Sequence, residues 1–427
     1  MNHVIDTLEA RGFLYQSTDR DVLVRHLSAQ SVTFYVGFDP TADSLHIGHL
    51  LPVMAMRWLQ KAGHRAIALV GGATAMVGDP SGKTEARPVL QAASIAANAE
   101  AIKGQLSQFL DFSDDRACLV NNADWLSPLG YIDFLRDVGR HFSVNRMLAA
   151  ESVKQRLETG LSFLEFNYML LQAYDFMVLN RDQGCTLQLG GQDQWGNIVA
   201  GIDLTRRMNQ TEVYGVTFPL LLKSDGQKFG KTSAGAVWLD PKRTSPYDYY
   251  QFWRNTEDAE VGRLMAFFTS LPMPEVERLA ALPAPAINRA KEILAYEATA
   301  LAHGQDEAAK AYLAAGAEFG YADLDCTIET SSPVVDVKPQ TATAELPTYE
   351  VDEATLAAGI WVVKLFADSG LCKSNGEARR LIRGGGCYLN GERIADETLQ
   401  VTPAQLADGQ LMLRAGKKNV RRVVVGA

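Results

Sequence analysis

The sequence predicts an α/β protein: a Rossmann-like parallel-sheet catalytic domain with a helical insertion, then an all-helical domain, then a small α+β domain. Three observations carry this. Residues 32–38 and 66–72 read as short apolar strands separated by a helix of roughly 17 residues, a βαβ crossover. Residues 185–198 repeat the pattern of strand, glycine turn and helix start. From residue 246 to 320 the periodicity is helical throughout, and residues 356–427 return to short helices and hairpins.

Composition narrows the functional classes. A chain of 427 residues holds several domains, and 47% hydrophobic with 21% charged residues is ordinary for a globular protein. No apolar run reaches the roughly 18 residues of a membrane helix. The opening MNHVIDTLEARG lacks the apolar core of an export leader, so a cytoplasmic location is expected. The five cysteines (118, 185, 326, 372 and 387) form no CxxC, which argues against a disulfide frame or a cysteine-based zinc site. Net charge is −9, yet residues 356–427 carry 11 Lys/Arg against 6 Asp/Glu, a net of +5 against −14 for the remainder. A basic module on an acidic body suits nucleic-acid binding.

Each element has its own justification. Residues 1–29 read as two amphipathic helices. In VTFYVGFDPTADSLHIGH (32–49), apolar residues alternate along a strand that Asp39-Pro40 ends. Ser44 is the expected N-cap of a helix from about Leu45 to Lys61. His46, Gly48 and His49 then lie in its first turn, where free N–H groups and the helix dipole favour phosphate. Gly48 leaves the helix surface bare for a flat group, and the two histidines can donate to phosphate oxygens. A plain helix start fits the same four residues, and both readings stay open on HxGH alone. Pro52 inside this helix is expected to loosen or kink it.

AIALVGG (66–72) is the second buried strand. GDPSGKT (78–84) is not a Walker A motif, because three residues rather than four separate its glycines. Lys83 and Arg87 still offer mobile cations for phosphate, or simply a solvated loop. Residues 89–160 are mostly helical, with a short strand near 117–120, and suit a dimer interface. FLEFNYMLLQAYDFMVL (163–179) is a helix with Tyr168, Gln172 and Asp175 on one face. Three polar side chains along one stripe of an apolar helix imply a polar partner, since each unpaired buried group costs about 1–3 kcal/mol. GGQDQWGNI (190–198) puts Gly191, Asp193 and Gln194 at the carboxyl edge of the sheet, where open α/β sheets bind ligands. KSDGQKFGKTSAG (223–235) carries Lys228, Lys231 and Thr232, which can fold over a phosphate.

Residues 321–350, with Pro333, Pro339 and Pro347 and no period, read as a linker. In the tail, Ser374 and Glu377 form a capping box for EARRLIRGG, and Asn390-Gly391 is a type I′ hairpin turn. Lys373, Arg379, Arg380 and Arg383 lie on or near that helix and can track a phosphate backbone.

The order of these motifs resembles the class I aminoacyl-tRNA synthetases, and within them the bacterial tyrosyl branch. The motifs are HxGH after the first strand, the Tyr/Gln/Asp helix, GGxDQxGN after a later strand, and KFGKT where the class carries a KMSKS-type loop. The likeness covers nearly the whole chain. It implies a catalytic domain over 1–225, with insertion and dimer interface at about 89–160 and the KFGKT loop at 223–235. It also implies a helical anticodon-binding domain at 246–320 and an S4-like RNA-binding domain at 356–427. The resemblance implies a tyrosine–tRNA ligase that uses ATP and Mg2+, the latter held mainly through the phosphates. Its partners would be L-tyrosine, tRNA(Tyr) and a second copy of the chain. Tyr35 and Asp175 would meet the phenol hydroxyl of the substrate, Tyr168, Gln172 and Asp79 its ammonium, and Gln194 would lie near its carboxylate. Gly37, Asp39, Thr41, Gly48, Gly191, Asp193 and Lys231 would surround ATP. His46 and His49 would contact its phosphates, and Lys83, Arg87, Lys228, Lys231 and Thr232 would close on pyrophosphate. Val36, where some relatives carry a ribose-contacting cysteine, and Pro52 are departures expected to tune ATP affinity.

Three rivals are weighed against this. A tryptophanyl enzyme shares the scaffold, but Tyr35 and Asp175 suit a phenol better than an indole. Another HxGH nucleotidyltransferase leaves KFGKT and the tail unexplained. A non-catalytic RNA-binding homologue would be expected to lose part of the histidine and lysine set, and all of it is present.

Overall fold

The computed structural model describes residues 3–81, 91–222, 229–232, 235–337, 347–407, 409–416 and 419–426. The chain forms two compact units. The first comprises Met1–Thr232, Ala236–Asp240 and Gly262–Glu277; the second comprises Ser233–Gly235, Pro241–Val261 and Arg278–Ala427.

The first unit opens with α1 (Val4–Ala10), β1 (Gln16–Ser17) and α2 (Arg20–Ala29). Next come β2 (Thr33–Phe38), α3 (Ile47–Lys61), β3 (Arg65–Val70), α4 (Ala92–Leu106) and β4 (Ala117–Asn121). The insertion consists of short helices, α5 (Ala123–Leu126), α6 (Tyr131–Asp137), α7 (Val144–Ala149), α8 (Glu151–Leu157) and α9 (Phe163–Phe166). α10 (Tyr168–Gln183), β5 (Cys185–Gly191), α11 (Trp195–Asn209) and β6 (Tyr214–Phe218) complete the sheet.

The strand order is β1-β6-β5-β2-β3-β4. All neighbours are parallel except β1, which runs antiparallel along the edge of β6. The chain leaves β2 towards β3 and β4, then returns to add β5 on the other side of β2. The crevice at the carboxyl ends of β2 and β5 is therefore the topological switch point, where such sheets bind ligands. The strands are apolar on both faces; Phe34, Ile67 and Leu187 are fully buried.

Several elements differ from the sequence expectation. The N-cap of α3 is His46, not Ser44, whose hydroxyl donates instead to the Leu45 carbonyl at 2.7 Å. α3 runs through Pro52, and its flanks Leu51 and Val53 are buried. The expected single helix over 163–179 is two, interrupted at Asn167, whose N–H is shared between the carbonyls of Phe163 and Leu164. β1 was not expected, because two residues carry no period. A 3₁₀ turn (Gln192–Gln194) separates β5 from α11, so the glycines do not open the helix directly. Residues 321–337 are packed rather than a free linker: Ser332 and Val334 are buried, and Ser332 donates to Glu297 at 2.6 Å.

In the second unit, α12 (Pro246–Arg254), α15 (Ile287–His303) and α16 (Gln305–Phe319) pack around Trp253, Tyr249 and Tyr250, all fully buried; between α12 and α15 in sequence, α13 (Val261–Phe268) and the start of α14 (Met273–Ala280) belong to the first unit. Its last part is a five-stranded sheet in which Thr348–Asp352, again unexpected, runs parallel to the final strand Asn419–Gly426. The hairpin turn carries positive φ at Asn390 and Gly391, as type I′ requires. The helix Asn375–Arg383 buries Ala378 and Ile382 and is capped by Ser374.

Candidate functional site

A cavity of about 620 Å3 opens at the switch point. It is lined by Tyr35, Val36, Gly37, Asp39, Thr41, His46, Gly48, His49, Pro52, Asp79, Tyr168, Gln172, Asp175, Gly191 and Gln194, all singled out from sequence. Asp193 sits in the turn beside Gly191 but does not line the cavity. Lys83, Arg87 and Lys228 lie outside the described residues. Lys231-Thr232 forms a short strand that follows Gly230, itself a lining residue.

The HxGH motif caps its own helix. The Gly48 N–H donates to His46 Nδ1 at 3.0 Å, and the His46 N–H donates to His49 Nδ1 at 3.1 Å. A neutral imidazole that accepts at Nδ1 carries its proton on Nε2, so both rings become Nε2 donors. Their centroids are 4.0 Å apart. A Cβ on Gly48 would come within 2.8 Å of the His46 ring, so glycine is needed for the cap as well as for a bare helix surface. The segment 237–239 braces the turn: Ile47 N–H donates to the Val237 carbonyl at 3.0 Å, and Leu239 N–H to that of Leu45 at 2.9 Å.

Asp175 is the most deeply buried carboxylate of the site, 1% exposed. Asn122 Nδ2 donates to its Oδ2 at 3.0 Å and Trp125 Nε1 to its Oδ1 at 2.7 Å. Burial raises its pKa to about 7; the two donors lower it and the charge of Asp39 raises it. The nearby Tyr35 packs on Phe176 with ring centroids 5.3 Å apart, and its buried hydroxyl has no hydrogen-bond partner among the described residues. Burial, and then the charge of Asp175, holds that phenol well above its ordinary value.

A second set of contacts orients the polar groups nearer the cavity mouth. Tyr168 donates to Asp39 Oδ2 at 3.0 Å. Asp79 accepts from the Ser81 N–H at 3.0 Å and from Gln194 Nε2 at 2.6 Å. Asn197, in the first turn of α11, donates to Gln172 Oε1 at 3.0 Å and Gln194 Oε1 at 3.2 Å. Sequence reasoning missed Thr74, Asn122, Trp125, Gln188 and Asn197. Asn122 and Trp125 follow β4 at the carboxyl edge, and that position was the available signal.

Lys373, Arg379, Arg380 and Arg383 are all exposed in the second unit. Arg379 stacks over Trp361 at 4.8 Å, and Arg383 makes a bidentate pair with Glu397 at 2.7 and 2.8 Å. Arg380 and Lys373 present their charge without a carboxylate partner among the described contacts.

Residues 27–320 match the family described as tRNA synthetases class I (W and Y). Residues 339–423 match the Tyrosine--tRNA ligase SYY-like C-terminal domain. The parallel sheet, the self-capping HxGH turn and the cavity at the switch point are thus those of a class I aminoacyl-tRNA synthetase. The Tyrosine--tRNA ligase of Clostridium kluyveri is 50% identical over 425 residues, covering 100% of both chains. That of Desulfosudis oleivorans is 53% identical over 428 residues, covering 99% of each. A C-terminally truncated mitochondrial tyrosyl-tRNA synthetase of Aspergillus nidulans superposes with a TM-score of 0.67 at 33% identity, covering 75% of this chain and 95% of its own. The chain belongs to the tyrosine–tRNA ligase family of class I aminoacyl-tRNA synthetases.

Proposed function

We propose that the cavity of the first unit carries out the family's reaction by positioning alone. The carboxylate of L-tyrosine attacks the α-phosphorus of ATP. The bond to the bridging oxygen breaks, giving tyrosyl-adenylate and pyrophosphate. A hydroxyl at the 3′ end of tRNA(Tyr) then attacks the acyl carbon of this mixed anhydride, so that the tyrosyl group becomes an ester on the tRNA and AMP leaves. The carboxylate is already a nucleophile, so no covalent enzyme intermediate and no general base is required.

The observation that carries this reading is the pairing of Asp175 with Tyr35 at a buried wall. Two fixed donors hold an acceptor there, beside a phenol with no hydrogen-bond partner among the described residues. A substrate phenol donates to Asp175 and accepts from Tyr35; phenylalanine leaves both groups unpaired, which is a strong basis for rejection. Asp79, Tyr168 and Gln172 receive the ammonium, Gln194 lies by the carboxylate, and Asp39 and Asp193 border the ammonium and nucleotide. The adenosine lies against Gly48 and Gly191, with Gly37 and Thr41 beside it. His46 and His49 donate through Nε2 to the phosphates. By family resemblance, Lys83, Arg87, Lys228, Lys231 and Thr232 close on pyrophosphate. Magnesium carried on ATP would neutralise its phosphates. Among the described residues no group of three His, Cys, Asp or Glu is arranged to hold a metal.

ATP–pyrophosphate exchange with each of the twenty amino acids tests the reading. Exchange with tyrosine only, lost in His46→Ala and weakened in Asp175→Asn, is expected. Exchange with tryptophan instead would overturn the assignment of the wall.

Assembly and partners follow the same reading. Ile132 (71% exposed), Phe163 (68%) and Tyr131 (60%) form apolar surface on the insertion, which supports a homodimer. Sedimentation of Ile132→Glu, expected to yield monomers, checks it. Lys373, Arg379, Arg380 and Arg383 are assigned to the RNA backbone. The five cysteines are all free thiols, as suits a cytoplasmic enzyme, and among the described residues no helix is long and apolar enough to cross a membrane.

A further inference from the structure

Thr74 lies between two carboxylates, Asp39 on the ammonium side of the amino acid and Asp175 at its phenol. Its side chain is buried, 2% exposed. Oγ1 donates to Asp39 Oδ1 at 3.0 Å and accepts from Asn122 Nδ2 at 3.0 Å. The same Asn122 nitrogen donates to Asp175 Oδ2 at 3.0 Å. The amide orientation is fixed by the backbone: the Ala73 N–H donates to Asn122 Oδ1 at 2.8 Å, and an N–H meets only the oxygen side.

The direction of the chain follows from counting protons. Asn122 has two N–H groups, one for Asp175 and one for Thr74. The threonine oxygen accepts one of them, so its single proton goes to Asp39. The donors therefore run one way, outward from Asn122 to both carboxylates. Room for this contact comes from Gly71, where an added Cβ would overlap both Asp39 Oδ1 and Thr74 Oγ1. The two carboxylates also sense each other electrostatically, since the charge of Asp39 disfavours ionisation of Asp175.

We propose that Thr74 is a positioning residue that couples Asp39 to Asp175 through Asn122, so that seating of the phenol sets the carboxylate on the ammonium side. It rests on the assignment of Asp175 to the phenol. Removing the hydroxyl strands an Asn122 N–H in a buried site and takes a donor from Asp39. Asn122 then turns to find another acceptor and loosens Asp175. A purely structural tie between the ends of β3 and β4 would lower stability without changing selectivity.

The test is pyrophosphate exchange with tyrosine and with phenylalanine, with folding checked by thermal melting. The proteins are the native enzyme, Thr74→Val, Thr74→Ser, Asp39→Asn and the double Thr74→Val/Asp39→Asn variant; Thr74→Ala replaces the valine variant if that does not fold. Thr74→Val is expected to lower kcat/KM for tyrosine about tenfold and that for phenylalanine much less. Thr74→Ser restores it, and the double variant loses less than the product of the single losses. Unchanged selectivity in a folded Thr74→Val, or independent losses in the double variant, overturns the coupling. Asp175→Asn separates the two levels. If it retains tyrosine selectivity, the assignment of Asp175 fails and the proposal with it. If it loses selectivity while Thr74→Val keeps it, the bridge alone is refuted.

Discussion

Trp125 Nε1 donates to Asp175 Oδ1 at 2.7 Å across 50 residues of sequence. The indole comes from α5, just after the edge strand β4, and the carboxylate from the second turn of α10. This bond holds one oxygen of Asp175 in place while Asn122 holds the other. Trp125→Phe keeps an aromatic body and deletes only the donor. Tyrosine selectivity over phenylalanine in pyrophosphate exchange is expected to fall about tenfold, at the scale of one hydrogen bond to a charged group. Selectivity equal to that of the native enzyme would show that Asn122 alone suffices.

The same carboxyl gives tyrosine binding a pH dependence. In the unfolded chain it titrates near 4; in the fold, burial pushes it up to about 7. A raised carboxyl pKa means that the fold opposes ionisation. Stability from this group is therefore full below the unfolded value and is lost as pH climbs from about 4 to 7. The charged groups facing it are Asp39, which disfavours its ionisation, and the phenol of Tyr35, which stays protonated throughout. A substrate phenol donates best to the ionised form. Tyrosine affinity, measured by calorimetry, is expected to tighten about tenfold between pH 6 and 8, with phenylalanine nearly flat. In Asp175→Asn the tyrosine curve flattens too, and the melting temperature gains relative to native as pH rises from 5 to 8.

His46 has two separable duties, capping α3 through Nδ1 and donating from Nε2. His46→Asn retains a side-chain acceptor for the helix N-terminus but cannot reach a phosphate through Nε2. Its melting temperature is expected close to native, with exchange reduced about 10²-fold or more, as for loss of one preorganised donor. His46→Ala loses both, with about 1 kcal/mol of stability gone besides. Equal rates for His46→Asn and the native enzyme would remove the histidine from the phosphate site.

Much of this was legible because the residues involved sit at strand ends or share a helix face. The strand 32–38, the HxGH turn and the Tyr168/Gln172/Asp175 stripe each follow from local period and local chemistry. What was not legible depends on partners distant in sequence. Ser44 looked like the cap because serine usually caps; nothing local says that His46 and His49 accept from each other's turn. Asn122 and Trp125 read as ordinary residues after a strand, and only the placement of β4 beside β3 brings them to Asp175. The strand at 348–352 follows a proline-rich stretch and gains its pairing from residues 422–426, some 70 positions later. Asn197 shows the same limit: its value lies in the two glutamines it orients.

The N-terminal helix buries Val4, Ile5 and Leu8 and is tied to the first unit besides by a buried arginine at its C-cap. Arg11, 4% exposed, donates to the carbonyls of Ala266 at 2.9 Å, Thr269 at 3.0 Å and Leu271 at 2.5 Å. These carbonyls lie at the end of α13 and in the turn just beyond it, where intrahelical donors run out. Its guanidinium also lies 4.2 Å from the Trp58 ring on α3, the helix that the HxGH motif begins. Burial lowers its pKa to about 10, so it stays charged at physiological pH and its five N–H groups remain donors. Arg11→Met fills much of the same volume but strands the carbonyls in an apolar setting. A loss of about 2–4 kcal/mol in unfolding free energy is expected from urea titration. Exchange by the folded fraction should be near native, since Arg11 does not line the cavity. Arg11→Lys recovers only part of the loss, because an ammonium cannot span three carbonyls with the planar guanidinium's geometry. A native denaturation midpoint in Arg11→Met would mean that water satisfies these carbonyls as well as arginine does.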